Sequence, residues 1–231
     1  MPRKPRMPSS TDMYHITNRG INKFNIFNSE NDKKKFMRIL QKSSHKYHVE
    51  IYSYCVMSNH FHLLLRIPFT ELSAFIQQFS TTYAVYYNSK YNKVGHVFQG
   101  RYHSETIESE RYFWCCMRYI HNNPVKAGLT SDVRAYLFSS AVYYFGSDKK
   151  RTQGIVSEEI FHILEKRFKN FDEFLEFHNN FDNQEFLDIK EEKEEHDFQR
   201  AKHWIKKYAR SRGIEKLKTL ENVPFFRKDC L

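Results

Sequence analysis

Met13 to Arg19 (MYHITNR) alternates along a run of β-formers, which predicts a strand ended by Gly20. A short extended piece is expected around Phe24–Phe27. Ser29-Glu-Asn-Asp32 reads as a helix start, a capping box with Asp in the Glu position. Phe36, Ile39, Leu40 and Ser43 follow at helical spacing. Val49–Met57 predicts a second strand, Ser58-Asn59 a turn, and His60–Ile67 (HFHLLLRI) a third strand halted by Pro68. Thr70-Glu71 opens a long helix with Leu72, Phe75, Ile76, Phe79, Tyr83 and Tyr86 on one face. Gly95–Ile107 is expected as a fourth strand or hairpin. Glu110–Asn122 is expected as a third helix, ended by Pro124. Strand–helix–strand–strand–helix–strand is the ferredoxin-like split βαβ order, an α+β fold. It predicts an antiparallel sheet with helices on one face and the other face free for a ligand.

The character of the chain changes after Gly146. Residues 1–12 are expected as a flexible basic arm, 13–146 as the sheet-bearing domain and 147–231 as a helical C-terminal extension. Short helices are expected over Ser157–Phe168 and Asn170–Asn179. Asp197–Arg212 reads as a stronger helix, stopped by Gly213, with Ile214–Leu220 as another. Helix–Gly–helix in a basic segment fits a helix-turn-helix DNA reader, and it fits a plain helical lid better.

Charge sharpens this division. Residues 1–146 carry 19 Lys and Arg against 9 Asp and Glu, a net of +10. Residues 157–197 carry a net of −9 and residues 198–231 a net of +7. A basic domain, an acidic segment and a basic tail fit a modular polyanion binder; the bland alternative is a basic solvated surface. Aromatic residues are 16% of the chain, which argues against long disorder. No run of 18 apolar residues predicts a membrane span, and the basic first ten residues lack the apolar core of a secretory signal. Cys55, Cys115, Cys116 and Cys230 form no CxxC pair, which favours a reducing, cytoplasmic setting.

Two clusters carry candidate chemistry. His60 and His62 lie two apart on a strand, so they share a face with origins about 6–7 Å apart and can converge on one metal ion. Phe61, Leu63, Leu65 and Ile67 take the opposite face. A hydrogen-bonded or exposed pair is the ordinary alternative. Tyr119 and Asn123, at i and i+4, share a face at the end of the third helix. That is the placement a tyrosine nucleophile beside an amide metal ligand needs. A structural tyrosine is the alternative, since 15 tyrosines are present.

Tyr14-His-Ile-Thr-Asn-Arg-Gly20, Met57-Ser-Asn-His-Phe-His-Leu63, Gly95-His-Val-Phe-Gln-Gly-Arg-Tyr102 and Tyr119-Ile-His-Asn-Asn-Pro-Val-Lys-Ala-Gly-Leu129 resemble, in this order, the IS200/IS605-type single-tyrosine transposases. The last motif resembles the REP-associated branch in particular. The resemblance covers roughly residues 13–145. It implies an HUH nuclease domain (U being a hydrophobic residue), a divalent metal, cleavage of single-stranded DNA through a 5′-phosphotyrosine, rejoining of ends, and recognition of hairpins. By the same resemblance His60 and His62 match the histidine pair and Tyr119 the nucleophile. Asn123 stands where the insertion-sequence branch tends to have a glutamine ligand, and His121 competes as third ligand. Two imidazoles and an amide suit Mn²⁺, or Mg²⁺ with retained waters.

DNA contacts are expected from Arg3, Lys4 and Arg6 on the arm, Arg19, Lys126, and Lys33, Lys34, Lys35, Lys42 and Lys46 on the first helix. Phe98, Arg101, Tyr102 and His103 interleave rings and charge in a way that can stack unpaired bases, or form a solvated hairpin. A replication-initiator or relaxase nuclease, and a non-catalytic hairpin DNA or RNA binder on the same fold, are the competing functions. No membrane partner is expected, and the state is monomer or homodimer.

Overall fold

A computed structural model describes residues 6–144 and 154–180. The strands are β1 (Met13–Arg19), β2 (Glu50–Val56), β3 (His60–Arg66) and β4 (His103–Thr106). The helices are α1 (Glu30–Lys46), α2 (Phe69–Tyr91), α3 (Glu110–Lys126), α4 (Glu159–Arg167) and α5 (Phe171–Asn179). The sheet is antiparallel in the order β2-β3-β1-β4, the ferredoxin-like arrangement. Residues 197–220, read above as helices, lie outside the described residues, as do Arg3, Lys4 and Cys230.

Alternation places the two faces. Tyr14 and Ile16 of β1 and Phe61, Leu63 and Leu65 of β3 are buried on one side. There Phe61 meets Phe36 of α1 and Phe79 of α2. The Ser29–Asp32 capping box forms as expected, and Asp32 does more than cap. Its carboxylate accepts from Lys90 at 2.5 Å, Tyr91 at 2.6 Å and Tyr86 at 2.9 Å, tying α1 to the end of α2.

The other face is not free. His15, His62, Ser53 and Cys55 look out from it, and α3 lies across it. A register shift at Tyr52, with Ile51 opposite Leu65 but Ser53 opposite Leu64, turns Ser53 toward α3. Helices α4 and α5 pack behind α3, and Ile155, Val156, Ile160, Leu164, Phe168 and Phe174 join the common core. Gly146 therefore marks a change in composition but not an edge of the core.

Three local expectations differ from the structure. Only His103–Thr106 of the fourth segment is strand, while Phe98 makes one isolated bridge to Gly20. Pro124 does not end α3 but sits in its last turn. A proline there costs one hydrogen bond, and the helix end is closed instead by Gly128 at φ +68°. Gly128 N–H donates to Val125 O and Leu129 N–H to Pro124 O, both at 2.9 Å. Residues 6–12, expected within a loose arm, are held: Ser9 N–H donates to the Tyr14 hydroxyl at 2.9 Å, and Thr11 Oγ1 to Ile107 O at 2.6 Å.

Candidate active site

Three segments meet on the α3 side of the sheet. His60 Nε2 lies 3.2 Å from Asn123 Oδ1, and His62 Nε2 accepts from Asn123 Nδ2 at 3.1 Å. The two imidazoles converge on one amide. Tyr119, one turn earlier on α3, stands edge-on to His62 with ring centroids 5.5 Å apart. Lys126 Nζ lies 4.9 Å from the centre of the Tyr119 ring. Tyr119 is 4% exposed, His60 6%, and His62 and Asn123 fully buried.

The donor set can be tested against a cation. Asn59 Nδ2 donates to Lys23 O at 3.4 Å, which turns Asn59 Oδ1 toward His60 Nδ1 at 2.7 Å. An amide oxygen only accepts, so His60 carries its hydrogen on Nδ1. Its Nε2 lone pair then faces the Asn123 carbonyl oxygen, two acceptors aimed at the same space. That arrangement fits a cation between the neutral His60 imidazole and the amide oxygen, with the His62 Nε2 lone pair beside it, engaged here by the Asn123 N–H. Among the described residues no group of three His, Cys, Asp or Glu side chains is gathered for a metal, so the amide is needed to complete this set.

His121, the competing third ligand, is turned elsewhere. Its Nε2 accepts from Ser53 Oγ at 2.9 Å and lies 3.0 Å from Ser140 Oγ, and its Nδ1 donates to His178 Nε2 of α5 at 2.8 Å. It is fully buried, and burial followed by the neighbouring His178 pushes its pKa well below the usual value. Its role is to pin α3 between β2 and α5. The rival tyrosines are also committed: Tyr112 bonds the Glu105 carboxylate, and Tyr102 Oη lies 3.1 Å from Ser73 Oγ.

The expected DNA-contacting residues divide. Arg6 stacks 3.7 Å over the Tyr102 ring, and with Arg101 and Phe98 both line a groove of about 560 Å³ between α2 and residues 95–102. Arg19 Nε donates to Gln99 Oε1 at 3.0 Å on the same edge. Lys34, Lys35, Lys42 and Lys46 are exposed on α1, Lys34 paired with Glu30 at 3.2 Å. Lys33 points inward instead, donating to the Tyr136 hydroxyl at 2.6 Å, and burial lowers its pKa. Lys126 belongs to the tyrosine site.

Sequence reasoning passed over His15, Asn59 and Glu105. His15 Nε2 lies 3.1 Å from His62 Nδ1, and His15 Nδ1 lies 3.7 Å from Glu105 Oε2. The signal for His15 was present: it is a polar residue on the same strand face as Thr17, which pairs with His62.

A family model described as IS200-like transposase matches residues 9–123. Comparison with curated protein sequences gives no match. Among solved structures, a REP-associated tyrosine transposase bound to a REP hairpin aligns at TM-score 0.53 with 17% identity, over 68% of this chain and 89% of that one. That level of likeness establishes the fold. A Deinococcus radiodurans R1 protein described as a transposase aligns at TM-score 0.37 with 20% identity, over 52% of this chain and 96% of that one. The matched span holds the strand with the paired histidines and reaches the tyrosine and amide of α3, and through residues 9–123 the chain belongs to the IS200-like transposase family.

Proposed function

We propose that this protein is a REP-associated type of tyrosine transposase, which binds hairpin-forming single-stranded DNA, cleaves it with Tyr119 and rejoins ends. The convergence of His60 and His62 on Asn123, one helical turn from Tyr119, carries this reading. The Tyr119 to Leu129 motif and the hairpin-bound fold relative support the branch. His60, His62 and Asn123 would hold Mg²⁺ or Mn²⁺, with Asn123 rather than His121 as the third ligand. Such a cation, when bound, supplies positive charge against the nonbridging oxygens of the scissile phosphate.

The chain's own residues do the rest. The Tyr119 phenol oxygen attacks phosphorus and gives up its proton as the bond to the 3′ oxygen breaks. The departing oxygen takes the electron pair and a proton, and the 5′ phosphate stays on Tyr119 as a phosphodiester. One phosphodiester is exchanged for another, so a second strand's 3′ hydroxyl can reverse the step and join DNA. A phenol, with an ordinary pKa of about 10, needs help as a nucleophile, and the Lys126 ammonium beside the ring favours charge building on its oxygen. Because Tyr119 and His60 are nearly covered, DNA must displace side chains such as Lys126 to reach them. Arg6, Arg101 and Tyr102 form the edge on which unpaired bases stack. The four cysteines without a disulfide pattern support a cytoplasmic setting.

The test is Tyr119→Phe, incubated with a labelled single-stranded hairpin library and Mn²⁺ or Mg²⁺. The wild type should form a covalent adduct whose 5′ phosphate maps to the peptide bearing Tyr119, and the variant should fold, bind DNA and form none. Normal cleavage by the variant, or an adduct on Tyr102 or Tyr112, overturns the assignment.

A further inference from the structure

The site has a support that the proposed chemistry does not use. His15 of β1 lies opposite Glu105 of β4 in the ladder, while Thr17, two residues on, lies opposite His62 of β3. His15 therefore bridges diagonally from Glu105 to His62. Its ring lies beside that of His62, nearly coplanar at 18° with centroids 5.3 Å apart, and meets Tyr119 edge-on at 5.9 Å. It is 8% exposed.

The hydrogens along this bridge can be placed one by one. Burial pushes the Glu105 carboxyl up, but bonds from His15 and Tyr112 outweigh it and hold the group below its ordinary value. Glu105 is thus an ionised acceptor facing His15 Nδ1 at 3.7 Å, so that nitrogen carries the hydrogen. His15 Nε2 keeps its lone pair and accepts from His62 Nδ1 at 3.1 Å. With its hydrogen on Nδ1, His62 presents a lone pair on Nε2, the atom that accepts from Asn123 at 3.1 Å. A histidine free in water favours the opposite tautomer, so the ring needs a partner to hold this one.

We infer that His15 is a positioning residue for the histidine pair: anchored by Glu105, it accepts the His62 Nδ1 hydrogen and so fixes the tautomer that aims the His62 Nε2 lone pair at Asn123. This rests on reading His62 as a ligand, but its first consequence is visible without metal. It parallels what Asn59 does for His60, by a longer route through two strands.

The experiment uses the full chain with ¹⁵N-labelled histidine and long-range ¹H–¹⁵N spectra of metal-free protein, followed by Mn²⁺ titration. Wild-type His62 should report hydrogen on Nδ1. His15→Phe keeps a ring of similar shape but cannot accept, so His62 should move toward the Nε2–H form and Mn²⁺ affinity should fall roughly 10- to 100-fold. His15→Gln should restore both, because its amide oxygen accepts from His62 and its nitrogen donates to Glu105. A packing role alone would leave the Phe variant unchanged in both readouts, and that result overturns the inference. So does wild-type His62 with hydrogen on Nε2, which also covers the case of a Phe variant that fails to fold. If His62 responds to His15 as stated but His60→Ala leaves Mn²⁺ affinity untouched, the tautomer relay stands and the metal reading alone fails.

Discussion

Acid should loosen the attachment of α5 to α3, and the hydrogen-bond chain says why. His178 Nδ1 donates to Phe174 O at 2.7 Å, so its Nε2 accepts from His121 Nδ1, whose own Nε2 accepts from Ser53. Both rings are neutral in this chain, and a proton added to His178 Nε2 would face the hydrogen already on His121 Nδ1. Burial first, then the nearby Arg118 charge, push the His178 pKa down to about 4 against the Phe174 bond that raises it. The folded value lies below the unfolded one, so between them the unfolded chain binds a proton that the folded chain refuses. Stability is therefore full above pH 6.5 and falls as pH drops toward about 4. At about 1.4 kcal/mol per pKa unit, the gap between 6.5 and about 4 is worth about 3 kcal/mol. That is a large part of the roughly 5–15 kcal/mol that holds a typical domain. Asp32 does not confuse this window: burial raises it, but bonds from Lys90, Tyr91, Ser29 and Tyr86 hold it at about 2, so its contribution is lost only below pH 3.8. Urea unfolding at about pH 7 and about pH 4.5 should show most of that loss. His178→Gln should start less stable but lose less on acidification, since an amide can accept from His121 and does not titrate. Equal urea stability of the wild type at both pH values would refute the reasoning.

Two further outcomes follow from packing. Gly20→Ala should disorder the turn before α1, because a Cβ there would lie 2.2 Å from Phe24 O and 2.7 Å from Ile26 Cγ2; since Gly20 N–H donates to Asn59 O, the loss should reach the His60 partner and appear as a lowered melting temperature and weaker Mn²⁺ binding. Truncation after Gly146 should not leave a cooperatively folded domain, because it removes six core side chains worth about 1.5–3 kcal/mol each, of the order of the whole stability; a sharp thermal transition of the truncated chain at the wild-type temperature would contradict this.

Much of the fold was legible because it is written in short-range pattern. The strand Met13–Arg19 agrees with its alternation to the residue, and the Ser29 start of α1 follows from its capping box. The convergence of His60, His62 and Asn123 was legible too, since i,i+2 on a strand and i,i+4 on a helix each set one face. The same rule spoke against His121: at about 100° per residue it sits about 200° around the helix from Asn123. What was not legible depends on distant partners. Lys33 looks like its neighbours on α1 until Tyr136, 103 residues away, takes its ammonium. The shift at Tyr52 leaves no mark in the alternation of β2, yet it turns Ser53 toward His121.

The helix α3 is therefore read from two sides at once. Tyr119, Asn123 and Lys126 face the histidine pair, while His121 and Asn122 face α5, where Asn122 Nδ2 donates to His178 O at 2.9 Å. Contacts of 3.1 and 3.2 Å between Asn123 and two rings on a neighbouring strand tolerate little rotation of the helix that carries it. A helix held only by its site face could roll; this one is fixed behind by bonds from Arg118, His121 and Asn122 to α5 and closed below by Gly128. The proline in its last turn fits the same demand, since its ring restricts the backbone one residue after Asn123. The segment that looked like an appendage by charge thus packs on the helix that carries the amide, with the sheet on one side of α3 and α5 on the other.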